Sequence, residues 1–364
     1  MRAFTGLPGV VHVYARGETK SAIRLQNGMD VDLRVVPQES YGAAFNYFTG
    51  SKDHNIAMRE IAIKKGYKLN EYGLFKGKKK IAGEDEKEIY RLLGLDYVEP
   101  EMREHKGEIE LAKERALPDL VGYRALKGDL QVQTDWSDGA DSIAAMARAA
   151  EAMGLSYIAI TDHTKRLAMT HGLDERRLSS QMKEIDALNA RRSKLKILKS
   201  TECDILKDGA LDLSDAALAK LDLAGVAVHS HFNLPREEQT KRIIRAMEHP
   251  CVDIVFHPTG RVLNKRDAYE VDIDAIIRAA KKTGTALEID AYPDRLDLKD
   301  DYIRKCAEAG AKLAIDPDAH SAHHFHYLRW GIAQARRGWA QASDIINTKP
   351  LPKMLKMLKR RKTK

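Results

Sequence analysis

From Gly128 to about residue 320 the chain repeats one pattern: a short apolar, β-branched run ends on His, Asp or Glu, and a helix-period segment follows it. The runs are Asp129–Gln133, Tyr157–Ile160 (leading to Asp162 and His163), Lys196–Glu202, Leu221–His229, Val252–His257, Ala286–Asp290 and Lys312–Asp316 (leading to Asp318 and His320). Between them, Ser142–Met153, Glu237–Glu248, Ile273–Thr283 and Asp301–Gly310 place apolar residues every three or four positions, the period of a helix with one buried face. This alternation predicts parallel strands with crossover helices, and seven such units predict an α/β fold closed or nearly closed into a barrel. Barrels of this kind carry their working residues where strands end. The ligand-type side chains stand there, so the pattern also predicts a metal site.

Ahead of the barrel the pattern changes to period two. Val10–Ala15, Ser21–Gln26 and Asp30–Val36 alternate, with Asn27 and Gly28 as a two-residue hairpin turn. In the third run Asp32 and Arg34 share one face, opposite Val31, Leu33 and Val35. Gly50 and Ser51 read as a turn and an N-cap, which sets Asn55 and Arg59 four apart on one helix face. Lys76–Lys80 reads as a basic loop suited to phosphates, Glu84–Leu93 as a short helix, and Tyr97–Pro100 as an extended exit.

Composition narrows the function classes. The 364 residues suit two domains, with 43% hydrophobic and 31% charged content. No apolar run reaches the roughly 18 residues of a membrane span, and the first residues lack the apolar core of a signal peptide. Three cysteines (Cys203, Cys251, Cys306) make no disulfide framework, which fits a reducing cytoplasm. A net charge of +8 suits a polyanionic partner without requiring one. Part of it lies in the acid-free end, where Lys353, Lys356, Lys359, Arg360, Arg361, Lys362 and Lys364 make either a solvated terminus or a phosphate-contacting arm.

The residues around Val31–Arg34, Tyr47–Arg59 and Leu95–Arg103 resemble the end of the palm and the thumb of family X DNA polymerases. The barrel resembles the PHP (polymerase and histidinol phosphatase) domain fused to bacterial and archaeal members. The resemblance implies an α/β chain: a small α+β palm-end and thumb domain over 1–105, a helical linker over 106–126, a distorted (β/α)7 barrel over 127–345 and a basic tail over 346–364. In that family Asp32 is the third carboxylate of a two-metal, magnesium-dependent polymerase site. Arg34, Tyr47, Phe48, Gly50, Asn55 and Arg59 belong to the nucleotide- and DNA-binding set. The first two carboxylates precede that point as Asp-x-Asp, and no such motif occurs before residue 32. Polymerisation is therefore not expected from this chain alone: either the gene start is truncated, or the missing half is a separate chain, or the domain is a relic.

For the barrel the resemblance implies nine ligands for three ions, Zn or Mn. Asp138, His163, Glu202, His229, His257, Asp318 and His320 match in order, whereas the first His-x-His reads Gln131 and Gln133. An amide oxygen is a poor ligand for these ions, so the one served by that pair with Glu202 and Asp318 should be weakly held or missing. Glu202, His229 and His257 keep one ion, and Asp138, His163 and His320 another. The implied reaction is metal-dependent phosphodiester hydrolysis, a 3′→5′ exonuclease or 3′-end trimming of DNA in repair, with His163 and His257 essential. Arg261 and Arg295, at strand ends, are candidate phosphate clamps or else structural ion pairs. His171, His231, His323, His324 and His326 are spare imidazoles. Two other classes stay open: a catalytically degenerate DNA-binding or scaffold fragment, and a small-molecule phosphatase of the histidinol-phosphatase type.

Overall fold

The alternating run near the start forms an antiparallel meander of β1 (Val10–Arg16), β2 (Lys20–Leu25) and β3 (Asp30–Arg34). Gly28, at φ 83°, makes the turn the sequence calls for between β2 and β3. Asp32 and Arg34 are exposed while Val31 and Leu33 are half-buried, as the alternation predicts. The structure is a computed structural model that describes residues 1–191 and 194–359. Two compact units divide it at Leu117 and Pro118.

In the first unit, helices Tyr41–Thr49 and Lys52–Lys64 meet at Gly50 (φ 73°), and Ser51 caps the second by accepting from the His54 N–H. A second antiparallel sheet follows: β4 (Lys68–Asn70), β5 (Gly73–Lys76) and β6 (Lys79–Ala82). The basic run over 76–80, expected as a loop, is therefore a hairpin tip turning at Gly77 and Lys78, because flanking residues pair across the ladder. Helix Glu86–Leu93 starts at an Asp85 cap and buries Ile89, Tyr90 and Leu93. Its Glu86 binds the wholly buried Arg103 at 2.6 Å, and Arg103 also donates to Val98 O and lies against the rings of Tyr90 and Tyr97. An extended exit closed by that arginine was legible only as extended. Part of the expected linker also belongs to this unit: helix Glu108–Glu114 offers Glu108 to His54 at 2.7 Å inside the core.

In the second unit the seven runs form one parallel ring. β7 (Gly128–Val132), β8 (Tyr157–Ile160) and β9 (Lys196–Lys199) make one sheet. β10 (Glu202–Asp204), β11 (Gly225–Ala227), β12 (Ile254–Val255), β13 (Ala286–Asp290) and β14 (Leu313–Asp316) make the other. The run Lys196–Glu202, expected as one strand, breaks at Ser200 and Thr201, and Glu202 re-pairs with the end of the β8 segment at His163. At the opposite seam β14 meets β7: Leu130 N donates to Asp316, and Ala319 exchanges backbone bonds with Gln131 and Gln133. Strands buried on both faces read as unbroken apolar runs, which is why they were visible. Gly225 begins β11 because a Cβ there would overlap the Phe256 ring.

Helices Ile143–Ala152, Glu175–Ala190, Arg236–Glu248, Ile273–Thr283, Asp300–Ala309 and Leu328–Arg337 cover the outside of the ring. Its interior is filled by Leu130, Ala159, Leu198, Ala227, Ile254 and Phe256, with Ile346, Met354 and Leu358 beneath. Residues 346–359, expected as the start of a basic tail, are thus a packed floor, since their apolar side chains alternate with the lysines. Asn347 sits at the seam, donating to Gly128 O and Ile315 O and accepting from Ile315 N. Lys359 donates to Met247 O and His249 O. Arg360, Arg361, Lys362 and Lys364 lie outside the described residues. Among the described residues no helix is long and apolar enough to cross a membrane.

Candidate metal centre

The strand ends of the ring bring the seven matched side chains to one mouth. The loop Thr134–Gly139 carries Asp138, and buried Asp162 organises it by accepting from Thr134 N, Thr134 Oγ1, Ser137 Oγ and Gln181 Nε2. His163 follows β8, Glu202 opens β10, and His229, His257 and the Asp318–His320 turn follow β11, β12 and β14.

Two overlapping groups result: Asp138, His163 and His320, and His163, Glu202 and His229, with the offered atoms of each group within 4.8 Å of one another. In the first, His163 Nε2 and His320 Nε2 each stand 3.7 Å from an Asp138 oxygen. In the second, His163 Nδ1 is 3.5 Å and His229 Nε2 3.1 Å from Glu202 oxygens. Donor atoms about 2.1 Å from one ion at tetrahedral angles stand roughly 3.4 Å apart, so both groups fit a divalent cation. The side chains of His163 and His257 each leave a buried Nδ1 with no hydrogen-bond partner, as expected of atoms that need something other than protein.

The grouping differs in one respect from expectation. The first set, Asp138, His163 and His320, is as implied; in the second, His163 joins Glu202 and His229, while His257 Nε2 approaches Glu202 Oε1 to 2.7 Å, a hydrogen bond. Asp318 stands in neither group, with its carboxylate 3.7 Å and its carbonyl 2.7 Å from His320 Nδ1.

Among the protein groups alone the electrostatics are those of a cation site. Burial raises the Glu202 carboxyl, but the neighbouring His163, His229 and His257 outweigh it and hold Glu202 well below the usual carboxylate range. Burial likewise opposes protonation of His229 and His320, yet Glu202 with Asp204 pushes the first up to about 9, and Asp318 with Asp138 the second up to about 10. Imidazoles drawn toward protonation by carboxylates stand where positive charge is stabilised, and a divalent cation competes for the same lone pairs. His257 moves the other way, since burial and Arg295 keep it neutral.

Around the centre, Asp204 and Glu288 lie outside the sequence reading. Asp204, two along the strand from Glu202, accepts from His229 Nδ1 at 3.1 Å. That i, i+2 spacing was a usable signal, because both side chains must share a face. Gln133 Nε2 donates to Glu202 Oε2 at 2.7 Å, and Gln131, its amide turned to satisfy both ends, donates to Glu288. Glu288, Asp290, Asp316 and Asp129 line the buried wall below, all raised by burial. Arg295 faces Asp290 at 3.3 Å. Arg261, a candidate phosphate clamp or structural ion pair, donates Nε to Arg295 O at 2.9 Å and one Nη to Leu296 O, and so holds the loop after β13.

In the first unit the expected nucleotide-binding residues fall into two contacts. Arg34 lies over the Phe48 ring at 5.3 Å, with Tyr47 edge-on to Phe48 at 5.0 Å. Asn55 Nδ2 donates to Tyr47 O at 2.7 Å, beside Gly50. Asp32 is exposed two residues from Arg34, and Arg59 is exposed on its helix.

Comparison with known proteins divides the chain the same way. Residues 44–104 match the DNA polymerase beta thumb and residues 129–348 the PHP domain. The chain is 41% identical over 361 residues, 97% of its length, to the DNA polymerase/3′-5′ exonuclease PolX of Bacillus subtilis, and it spans 62% of that protein. Over 228 residues, 60% of this chain and 88% of the other, it is 28% identical to a probable phosphatase of Thermoanaerobacter sp.. Histidinol phosphate phosphatase from Lactococcus lactis, solved with zinc, L-histidinol and phosphate, overlays 57% of this chain and 93% of its own at 18% identity and a TM-score of 0.43.

Proposed function

From the premise that this chain belongs to the PHP domain family, we propose that its barrel is a metal-dependent phosphodiesterase that removes nucleotides from the 3′ ends of DNA. The observation that carries the reading is the pair of groups sharing His163. Asp138, His163 and His320 would hold one ion and Glu202 and His229, with His163 or His257, a second; Zn or Mn suits the nitrogen-rich donor set. Such ions polarise a phosphodiester, lower the pKa of a bound water and neutralise the leaving oxygen.

The chain's own residues do the positioning. Asp204 fixes the His229 ring through Nδ1, so that Nε2 points at the centre. Asp162 holds the loop that presents Asp138. Arg295, beside Asp290 and Asp318, adds a fixed positive charge near the mouth. The DNA assignment rests on the thumb match and on the polymerase-exonuclease relative. A third ion at Gln131 and Gln133 would be weakly held, since amide oxygens are poor ligands for Zn or Mn, and a reducing cytoplasmic setting agrees with three cysteines outside any disulfide.

The test is hydrolysis of a 3′-labelled single strand by the full chain with Mn²⁺, alongside metal content. His163→Ala should abolish turnover and lower the metal count, since the ring completes the first group and borders the second. An unchanged rate would refute the assignment, and a metal-free, inactive wild type would identify the barrel as a scaffold. A steep fall of binding with salt separates multi-phosphate contact from a small phosphate monoester.

A further inference from the structure

Beside the ligand cluster lies a cavity of about 370 Å³, bounded by Asp318 and His320 on one side and by Val262, Tyr292, Arg295 and His324 on the other. That volume is within the range of small-ligand sites. Two aromatic planes meet in it at a right angle. Tyr292 stands 5.2 Å from His324 at 82° and 5.3 Å from Tyr327 at 76°, while His324 and Tyr327 stack 5.1 Å apart at 26°. Tyr292 is held by its loop: its backbone N–H donates to Asp290 Oδ1 at 2.7 Å and its carbonyl accepts from Arg295 N and Leu296 N.

His324 Nδ1 accepts from His320 N at 3.2 Å. A neutral imidazole therefore carries its hydrogen on Nε2, where it can donate. The acid at the rim, Asp294, is already paired with Lys265 at 2.7 Å. So the cavity offers a π surface, an apolar wall at Val262, the His324 ring donor and the Arg295 guanidinium, adjoining the place where a scissile phosphate would sit.

We propose that this corner is the subsite for the 3′-terminal nucleobase of a single strand, stacked on Tyr292 and against His324. The proposal rests on the phosphodiesterase reading above. Stacking is tolerant of base identity because every base has a π face. The subsite thus selects for the presence of a base and for an unpaired end, not for sequence.

The experiment compares two single strands, one ending in an ordinary nucleotide and one in a tetrahydrofuran abasic residue, with the full chain and Mn²⁺. Wild type should show a KM roughly tenfold lower for the strand with a terminal base, the size of one base–aromatic stack. Tyr292→Leu, which keeps bulk and loses the ring face, should bring that ratio close to one with little change in kcat, and Tyr292→Phe should preserve it. Equal KM values for the two strands in wild type, or discrimination that survives in Tyr292→Leu, would overturn the subsite and leave the phosphodiesterase standing. Hydrolysis of neither strand would overturn both. Should Tyr292→Leu fail to fold, a 3′-terminal 2-aminopurine decides: its fluorescence should be quenched when the strand binds wild type, and unquenched binding would refute stacking.

Discussion

Gln133 Nε2 and Glu202 Oε2 are 2.7 Å apart, joined by a buried hydrogen bond. A carboxylate oxygen that takes a proton donor from the first strand is not sharing an ion with a ligand there. Gln131 is engaged in the same manner by Glu288. Replacing both by His supplies two nitrogen lone pairs, so Gln131→His with Gln133→His should raise the metal content by about one ion per chain. Elemental analysis after dialysis checks this, and an equal count in both forms would show that another group serves that position.

Asp204 acts on the centre through His229. With Asp204→Asn the ring loses its charged partner at Nδ1, and affinity for the ion at Glu202 should fall by roughly 10- to 100-fold. A chelator competition titration measures it. The ion at Asp138 and His320 should be held as before, and loss of both in equal measure would point to collapse of the mouth instead.

At the floor of the ring Asn347 satisfies three backbone groups on the two strands that meet there, with no water-exposed surface of its own. Asn347→Ala strands them in the core. The expected loss is on the order of 3 kcal/mol, read as a lower denaturation midpoint of the second unit, with metal-ligand geometry at the other end retained.

The first unit has its own pH signature. Burial raises the Glu108 carboxyl, but bonds from His54 and from backbone N–H groups outweigh it, and Glu108 titrates below its ordinary value of 4.5. A carboxylate lowered by folding stabilises the native state above its ordinary pKa, and that contribution disappears as the pH falls through the folded value. The stability of the unit should therefore drop on acidification below about pH 4.5. Glu108→Gln should lower stability at pH 7 and flatten that acid limb. A limb of unchanged steepness would mean that other carboxylates carry it.

What the sequence made legible follows from what periodicity can encode. Residues Ala286–Asp290 and Tyr157–Ile160 are strands over the expected spans, because buried parallel strands are continuous apolar runs. The break at Ser200 and Thr201 was not legible: nothing local distinguishes a strand that bends from one that runs on, and the partner that rewards the bend, His163, lies far back in the chain. The seven ligand-type residues were read individually, yet which imidazole joins which carboxylate depends on ring orientation. So the sequence places His257 with Glu202, but does not show that its Nε2 reaches Glu202 Oε1 while its buried Nδ1 is left without a protein partner. The bonds of Arg261 are hidden from the sequence for a like reason, since the carbonyls it meets belong to residues 34 and 35 positions on. Residues 351–358 looked like a charged end because composition hides a two-sided helix whose Met354 is fully buried.

The seam at Asn347 also bears on how the second unit comes into being. Its bond to Gly128 spans 219 positions, and Tyr157 Oη reaches Lys349 O across 192. Contacts of such sequence separation reward the chain only after a long loop has been closed, so they arrive late and together. Before that moment β7 to β9 expose apolar edges with no opposing arc. The ring should accordingly form slowly, in a single cooperative step, with a half-built sheet as its most aggregation-prone passage.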